Sequence, residues 1–161
     1  MIAPGTLLLA IETSNPSAIA DRGSAFGPGV AIGRIGSGGL EILHAEALRP
    51  VGRHEDDLAT CIDRCVSAGV GDGSANARAA IGLVVVSVGP GGYTALRMAC
   101  ASGQMIALAN GARCVAVPTA GALAMSHVMH AAQTGGDGQT LFPMAVALAG
   151  KGDTAHVTVF S

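Results

Sequence analysis

Apolar positions follow two rhythms along this chain. Leu7–Ile11 is a short continuous apolar run closed by the polar turn Glu12-Thr13-Ser14-Asn15-Pro16, which predicts a buried strand. Residues 17–28, with two glycines and a proline, read as a loop inserted before the next strand. Gly29–Ile35 and Leu40–Leu48 read as strands joined through Gly36-Ser37-Gly38-Gly39, a hairpin signal. The period then changes. Leu58, Cys61, Ile62, Cys65 and Val66 fall at i, i+3, i+4, i+7 and i+8, the apolar stripe of a first helix. Glu55, Asp56 and Asp57 are placed in its first turn, where carboxylates favour the positive end of the macrodipole, and Gly69 and Gly71-Asp72-Gly73-Ser74 are expected to end it.

Ile81–Val88 is the strongest strand signal in the chain, and its nearly continuous apolar run suits a strand buried on both faces. Gly89-Pro90-Gly91-Gly92-Tyr93 follows, then a second helix from about Thr94 to Asn110 with Gly111 just past its end. Ala95, Ala99, Gly103 and Ala107 recur every four residues there, a flat ridge against which another helix could lie close. Arg113–Val117 reads as a strand, and Pro118 opens a third helix with Ala120, Leu123, Ala124, His127, Val128 and Ala131 on its apolar face. Residues 134–140 form a linker, and Leu141–Ala149 and Thr154–Phe160 are two strands around Gly150-Lys151-Gly152-Asp153. The order βββαβαβα plus a hairpin predicts an α/β fold: a mixed sheet flanked by helices over residues 1–133, followed by a β-hairpin over 141–161.

Composition excludes several classes. Of 161 residues, 50% are hydrophobic and 12% charged, too apolar for a disordered chain. Aromatics are 2% and glycines number 24, so the core is built from small side chains. Nine basic against eleven acidic residues leave no basic footprint for nucleic acid, and Lys151 is the sole lysine. The apolar runs are too short to span a bilayer, and the first residues lack the basic segment of a signal peptide, so a cytoplasmic protein without membrane contact is expected. Cys61, Cys65, Cys100 and Cys114 form no CxxC and are expected as buried, reduced thiols.

Candidate chemistry is sparse. The loop Gly89–Thr94, between a strand and a helix, could offer free N–H groups to an anion, or serve only as a tight turn. It has no Gly-Lys-Ser/Thr, and Thr94 stands where a dinucleotide fingerprint needs its third glycine. Glu12, Thr13 and Ser14 would face phosphate and Mg²⁺ in a nucleotide-binding sheet, or form an ordinary Ser/Thr turn. Arg53-His54-Glu55 fits a helix start better than an acid–base pair, and His127 with His130 lacks a third metal ligand.

Together, LVVVSVGPGGYTALRMACASGQMIAL (83–108), LLLAIETS (7–14), Arg53-His54-Glu55 with Leu58, and CVAVPTAGALA (114–124) resemble the TsaB (YeaZ-like) proteins of the glycoprotease/actin-like ATPase superfamily, over roughly residues 7–125. The central motif is Gly89, Pro90, Gly91, Gly92, Tyr93, Thr94 and Arg97. The resemblance implies an actin-like (ribonuclease H-like) fold and a non-catalytic subunit in making N6-threonylcarbamoyladenosine at position 37 of tRNA. It implies pairing with a TsaD-like catalytic paralogue, a TsaE-like ATPase in the complex, a homodimer when alone, and only indirect contact with tRNA. The partner face would lie on helices one and two: Arg53, His54, Leu58, Tyr93, Thr94, Ala95, Arg97, Ala99 and Gly103. Glu12, Thr13, Ser14, Gly89, Gly91 and Gly92 would be a vestigial phosphate site, with no cofactor required and ATP or ADP only in the complex. Where the catalytic paralogue carries metal-binding histidines this chain has Pro118-Thr119-Ala120-Gly121-Ala122, so no metal and no peptidase activity are expected. The resemblance also implies a second lobe, of which the hairpin at 141–161 would be a remnant or the start, leaving edge strands in need of cover. Two other readings are a small actin-like phosphotransferase acting on ATP through Glu12, Thr13, Ser14 and the Gly89–Thr94 loop, and a structural homodimer without the tRNA-modification role.

Overall fold

In the computed structural model, residues 2–14, 27–49, 57–71, 79–135, 143–149 and 154–161 are described. Most of the expected 17–28 loop, the stretch holding Arg53, His54, Glu55 and Asp56, and residues 72–74 lie outside them. The elements are β1 (Leu7–Glu12), β2 (Gly29–Gly36), β3 (Gly39–Ala47), α1 (Leu58–Val70), β4 (Ile81–Ser87), α2 (Tyr93–Asn110), β5 (Arg113–Val117), α3 (Thr119–Gln133), β6 (Met144–Ala149) and β7 (Ala155–Phe160). Five strands form one sheet in the order β3-β2-β1-β4-β5, and β6 and β7 pair separately.

The opening meander is antiparallel, with Leu9 opposite Ile32 and Ile32 opposite His44. From there the sheet turns parallel: Ile11 pairs with Val86, and Val86 with Ala116. These registers put Leu9, Ile11, Val30, Ile32, Val84 and Val86 on one face, all buried. Both α1 and α2 cover that face, because the βαβ crossovers from β3 to β4 and from β4 to β5 return on the same side.

The stripe of α1 is as the spacing predicts: Leu58, Cys61, Ile62, Cys65 and Val66 are buried. The Cys65 thiol donates to the Val30 carbonyl at 3.4 Å. Two details of this helix differ from expectation. Gly69 does not end it but lies within it, because a Cβ there would overlap the Ile32 side chain and press on His44; the helix stops at Gly71, with φ +91°. Asp57 caps no helical N–H. Its carboxylate accepts the Arg49 N–H at 2.9 Å and pairs with Arg64 at 3.2 Å, which in turn pairs with Glu46 on β3.

The small ridge of α2 is real but points inward. Ala95, Ala99, Gly103 and Ala107 are the buried residues of this helix, and they lie on the sheet rather than on a partner. Leu58, also expected on the partner face, is 1% exposed in the core. For α2 the physical reason is that Val84, Val86 and Ile11 stand up from the sheet beneath Gly103, where only a small residue lets the helix approach, whereas Leu58 is buried as part of the apolar stripe that seats α1 on the sheet. Gly111 ends α2 at φ +62°, and the next N–H, from Ala112, donates to the Ala107 carbonyl at 2.8 Å.

In α3, Pro118 flanks the helix and Thr119 is the first helical residue. Thr119, Ala120 and Ala124 are buried, whereas His127, expected on the apolar face, is exposed. This helix packs on β6. Cys114, expected buried, is exposed on the edge strand β5, and Cys100 is half-buried. No helix among the described residues is long and apolar enough to cross a membrane.

Candidate functional site: a hydroxyl–carboxylate crevice and the outer face of α2

Strands β1 and β4 run parallel and side by side, and the chain leaves their ends in different directions. In an open α/β sheet such a point forms a crevice where ligands commonly bind. Here the turn Glu12-Thr13-Ser14 leaves β1, and Ser87 to Gly92 leaves β4. The start of α3 closes over both.

Thr13, Ser14, Ser87 and Thr119 are buried, and burial of a hydroxyl is tolerable only when it is bonded. Thr13 Oγ1 donates to the Ala95 carbonyl at 3.1 Å, pinning the first turn of α2. Glu12 Oε1 accepts both the N–H and the Oγ–H of Ser14. Thr119 Oγ1 lies 2.6 Å from Ser14 Oγ, 2.6 Å from Ser87 Oγ and 3.4 Å from Glu12 Oε2. The backbone joins in: the Thr119 N–H donates to the Gly89 carbonyl at 3.0 Å, and the Val88 N–H to that of Val117 at 3.0 Å.

The glycines of the loop differ in purpose. Gly89 has φ +91° and precedes a cis proline. Gly91 lies against the backbone of Ser14, where any Cβ would overlap it, while Gly92 faces open space. Of the expected phosphate group, Glu12, Thr13, Ser14, Gly89 and Gly91 are brought together, and Gly92 faces away. The Thr13 and Ser14 donors, however, are spent on Ala95 and Glu12, and Gly91 of the loop lies directly on Ser14. Sequence reading missed Ser87 and Thr119, which complete this cluster from elements remote in sequence. Among the described residues no group of three or more His, Cys, Asp or Glu could hold a metal ion.

The outer face of α2 is of a different kind. Thr94, Met98, Ala101, Met105 and Leu108 are exposed at i, i+4, i+7, i+11 and i+14, the spacing of a helix–helix seam, with Met105 72% and Leu108 85% accessible. At its N-terminal end the Arg97 guanidinium lies over the Tyr93 ring, 5.5 Å from its centre, and both are exposed. Of the expected partner-face residues, Tyr93, Thr94 and Arg97 are accessible, Leu58, Ala95, Ala99 and Gly103 are not, and Arg53 and His54 lie outside the described residues. The 4-3-4-3 spacing of Thr94, Met98, Ala101, Met105 and Leu108 was available in the sequence, but the neighbouring small-residue ridge is the more regular signal.

Arg64, between Glu46 and Asp57, serves the fold rather than a site. Its hydrogen bonds hold the Asp57 carboxyl below the usual aspartate range, and the two carboxylates push its own guanidinium further up.

Known proteins agree with this architecture. The chain resembles the solved structure of YeaZ from Pseudomonas aeruginosa at a TM-score of 0.61 and 17% identity, over 96% of this chain and 59% of that one. A second solved structure, an uncharacterized protein with similarity to peptidase YeaZ from Pseudomonas aeruginosa, matches at a TM-score of 0.62 and 17% identity, with the same coverage. These likenesses identify the fold, which is actin-like. The chain thus spans less than two thirds of the length of those structures. No curated protein sequence matches significantly. The family described as TsaD: tRNA N6-adenosine threonylcarbamoyltransferase matches residues 52–159, more than half of the chain. This chain, with its YeaZ-like fold, belongs to the TsaD (tRNA N6-adenosine threonylcarbamoyltransferase) family.

Proposed function

We propose that this chain is a non-catalytic subunit in threonylcarbamoylation of tRNA adenosine, acting by pairing with a TsaD-like catalytic paralogue. The observation that carries the reading is the outer seam of α2. That helix buries a row of small residues on its own sheet and presents long apolar side chains on the opposite side, so it is apolar on two faces. A helix of that kind is ordinarily buried on both. Tyr93 and Arg97, from the motif on which the TsaB resemblance rests, sit at one end of the seam.

The crevice supports the non-catalytic part. Its hydroxyls and carboxylate bond one another, and the loop that would cradle phosphate rests on Ser14. With nine basic residues against eleven acidic, tRNA contact falls to the partner, and a TsaE-like ATPase would join through the same complex. Nucleotide, if any, would be held only once the complex has formed.

The test is light scattering after size exclusion, on the full chain alone and mixed with the TsaD-like protein of its own genome. A 1:1 complex supports the reading, most strongly if it displaces a homodimer of the free chain. A chain that stays with itself in the mixture favours the purely structural homodimer, and tight ATP binding by the isolated chain favours the phosphotransferase; either overturns the proposal.

A further inference from the structure

The geometry points to Glu12 as an internal latch: its carboxylate occupies the crevice between β1 and β4 and, through the hydroxyls of Ser14, Thr119 and Ser87, ties the start of α3 and the β6–β7 hairpin packed on it to the five-stranded sheet. This holds whichever partner covers α2.

Proton accounting supports it. An ionised carboxylate can only accept, so the Ser14 Oγ–H and N–H both point at Glu12. The Thr119 Oγ1–H is then directed to Ser14 Oγ or Glu12 Oε2, and the Ser87 Oγ–H to Thr119 Oγ1. All three hydroxyl protons run toward one charge, from three segments as much as 107 residues apart. In a poorly hydrated setting such charge-assisted bonds are the strong ones. A phosphate entering here would meet a like charge and hydroxyls already turned away from it. The anion that joins these segments is the protein's own.

The latch has a defined reach. Thr119 is the first residue of α3, its N–H is held by Gly89, and β6 lies on the same helix. α1 packs instead on β2 and β3, toward the opposite edge of the sheet, and no hydrogen bond joins it to the crevice among the described residues.

Amide hydrogen exchange on the full chain tests this, with Glu12→Ala and the shape-conserving Thr119→Val, and an inorganic phosphate titration of the wild type. Loss of a charge-assisted hydrogen bond should speed exchange at 119–124 and 144–149 by about ten- to a hundredfold in each variant, leaving 58–70 unchanged. The wild type should show no phosphate binding. Unchanged protection at 119–124 in a folded variant overturns the latch, as does wild-type phosphate binding that protects residues 87–92. Should Glu12→Ala fail to fold, Thr119→Val decides alone.

Discussion

Gly103 of α2 lies so close over Val86 of β4 that a Cβ on the glycine would overlap the valine Cγ2, with Val84 at 3.4 Å and Ile11 at 3.9 Å behind it. At this point the helix lies closer to the sheet than a residue with a Cβ would allow. Gly103→Ala should therefore destabilise the fold by about 1–3 kcal/mol, as overpacking does, seen as a lower urea midpoint. Gly121 in α3 is the contrast: nothing stands within 4 Å of its would-be Cβ, and alanine there should stabilise by about 0.5–1 kcal/mol through helix propensity.

The two faces of α2 should respond oppositely to charge. Met105→Glu, at a site 72% exposed, should leave the unfolding midpoint unchanged within about 0.5 kcal/mol yet abolish association of α2 with its partner. Ala99→Glu, at a site 0% exposed, should unfold the chain before any partner is involved. Binding that survives Met105→Glu in light scattering would remove the outer seam as the interface.

Asp57 gives a pH dependence of known sign. Arg64, foremost by its hydrogen bonds, holds the Asp57 carboxyl below the ordinary aspartate value of about 3.9. The unfolded chain then binds the proton first as pH falls, so this contribution is complete above that value and is lost on acidification through the folded one. Urea unfolding between about pH 5 and pH 2 should show a steeper loss in the wild type than in Arg64→Met.

Thiol reactivity should rank by environment. Burial pushes the Cys61 thiol up to about 11 and Cys65 upward as well, whereas Cys114 is exposed on β5. Since the thiolate is the reacting form, alkylation of the native protein at pH 8 should label Cys114 first and leave Cys61 and Cys65 unmodified until unfolding. Peptide mass spectrometry reads the order directly.

Local patterning was enough to place every described strand and helix, because alternation and 3.6-residue periodicity are written residue by residue: the Leu58–Val66 stripe and the Ile81–Ser87 run needed nothing further. Periodicity states which residues share a face, not what that face meets. Ala95, Ala99 and Gly103 could have served a partner helix as well as a sheet; the choice was made by the height of Val84 and Val86, which is known only once α2 lies across β4. Gly69 is a packing glycine for the same reason, since Ile32 comes from another strand. The crevice was half legible. Glu12, Thr13 and Ser14 are contiguous and announce themselves, but Ser87 and Thr119 reach them only when β4 pairs with β1 and α3 folds back. What the sequence determined by itself is the order of elements and the small-residue core; the direction of each face and the partners of each buried hydroxyl were decided by the tertiary structure, because burial and hydrogen bonding depend on neighbours as far as 107 residues away.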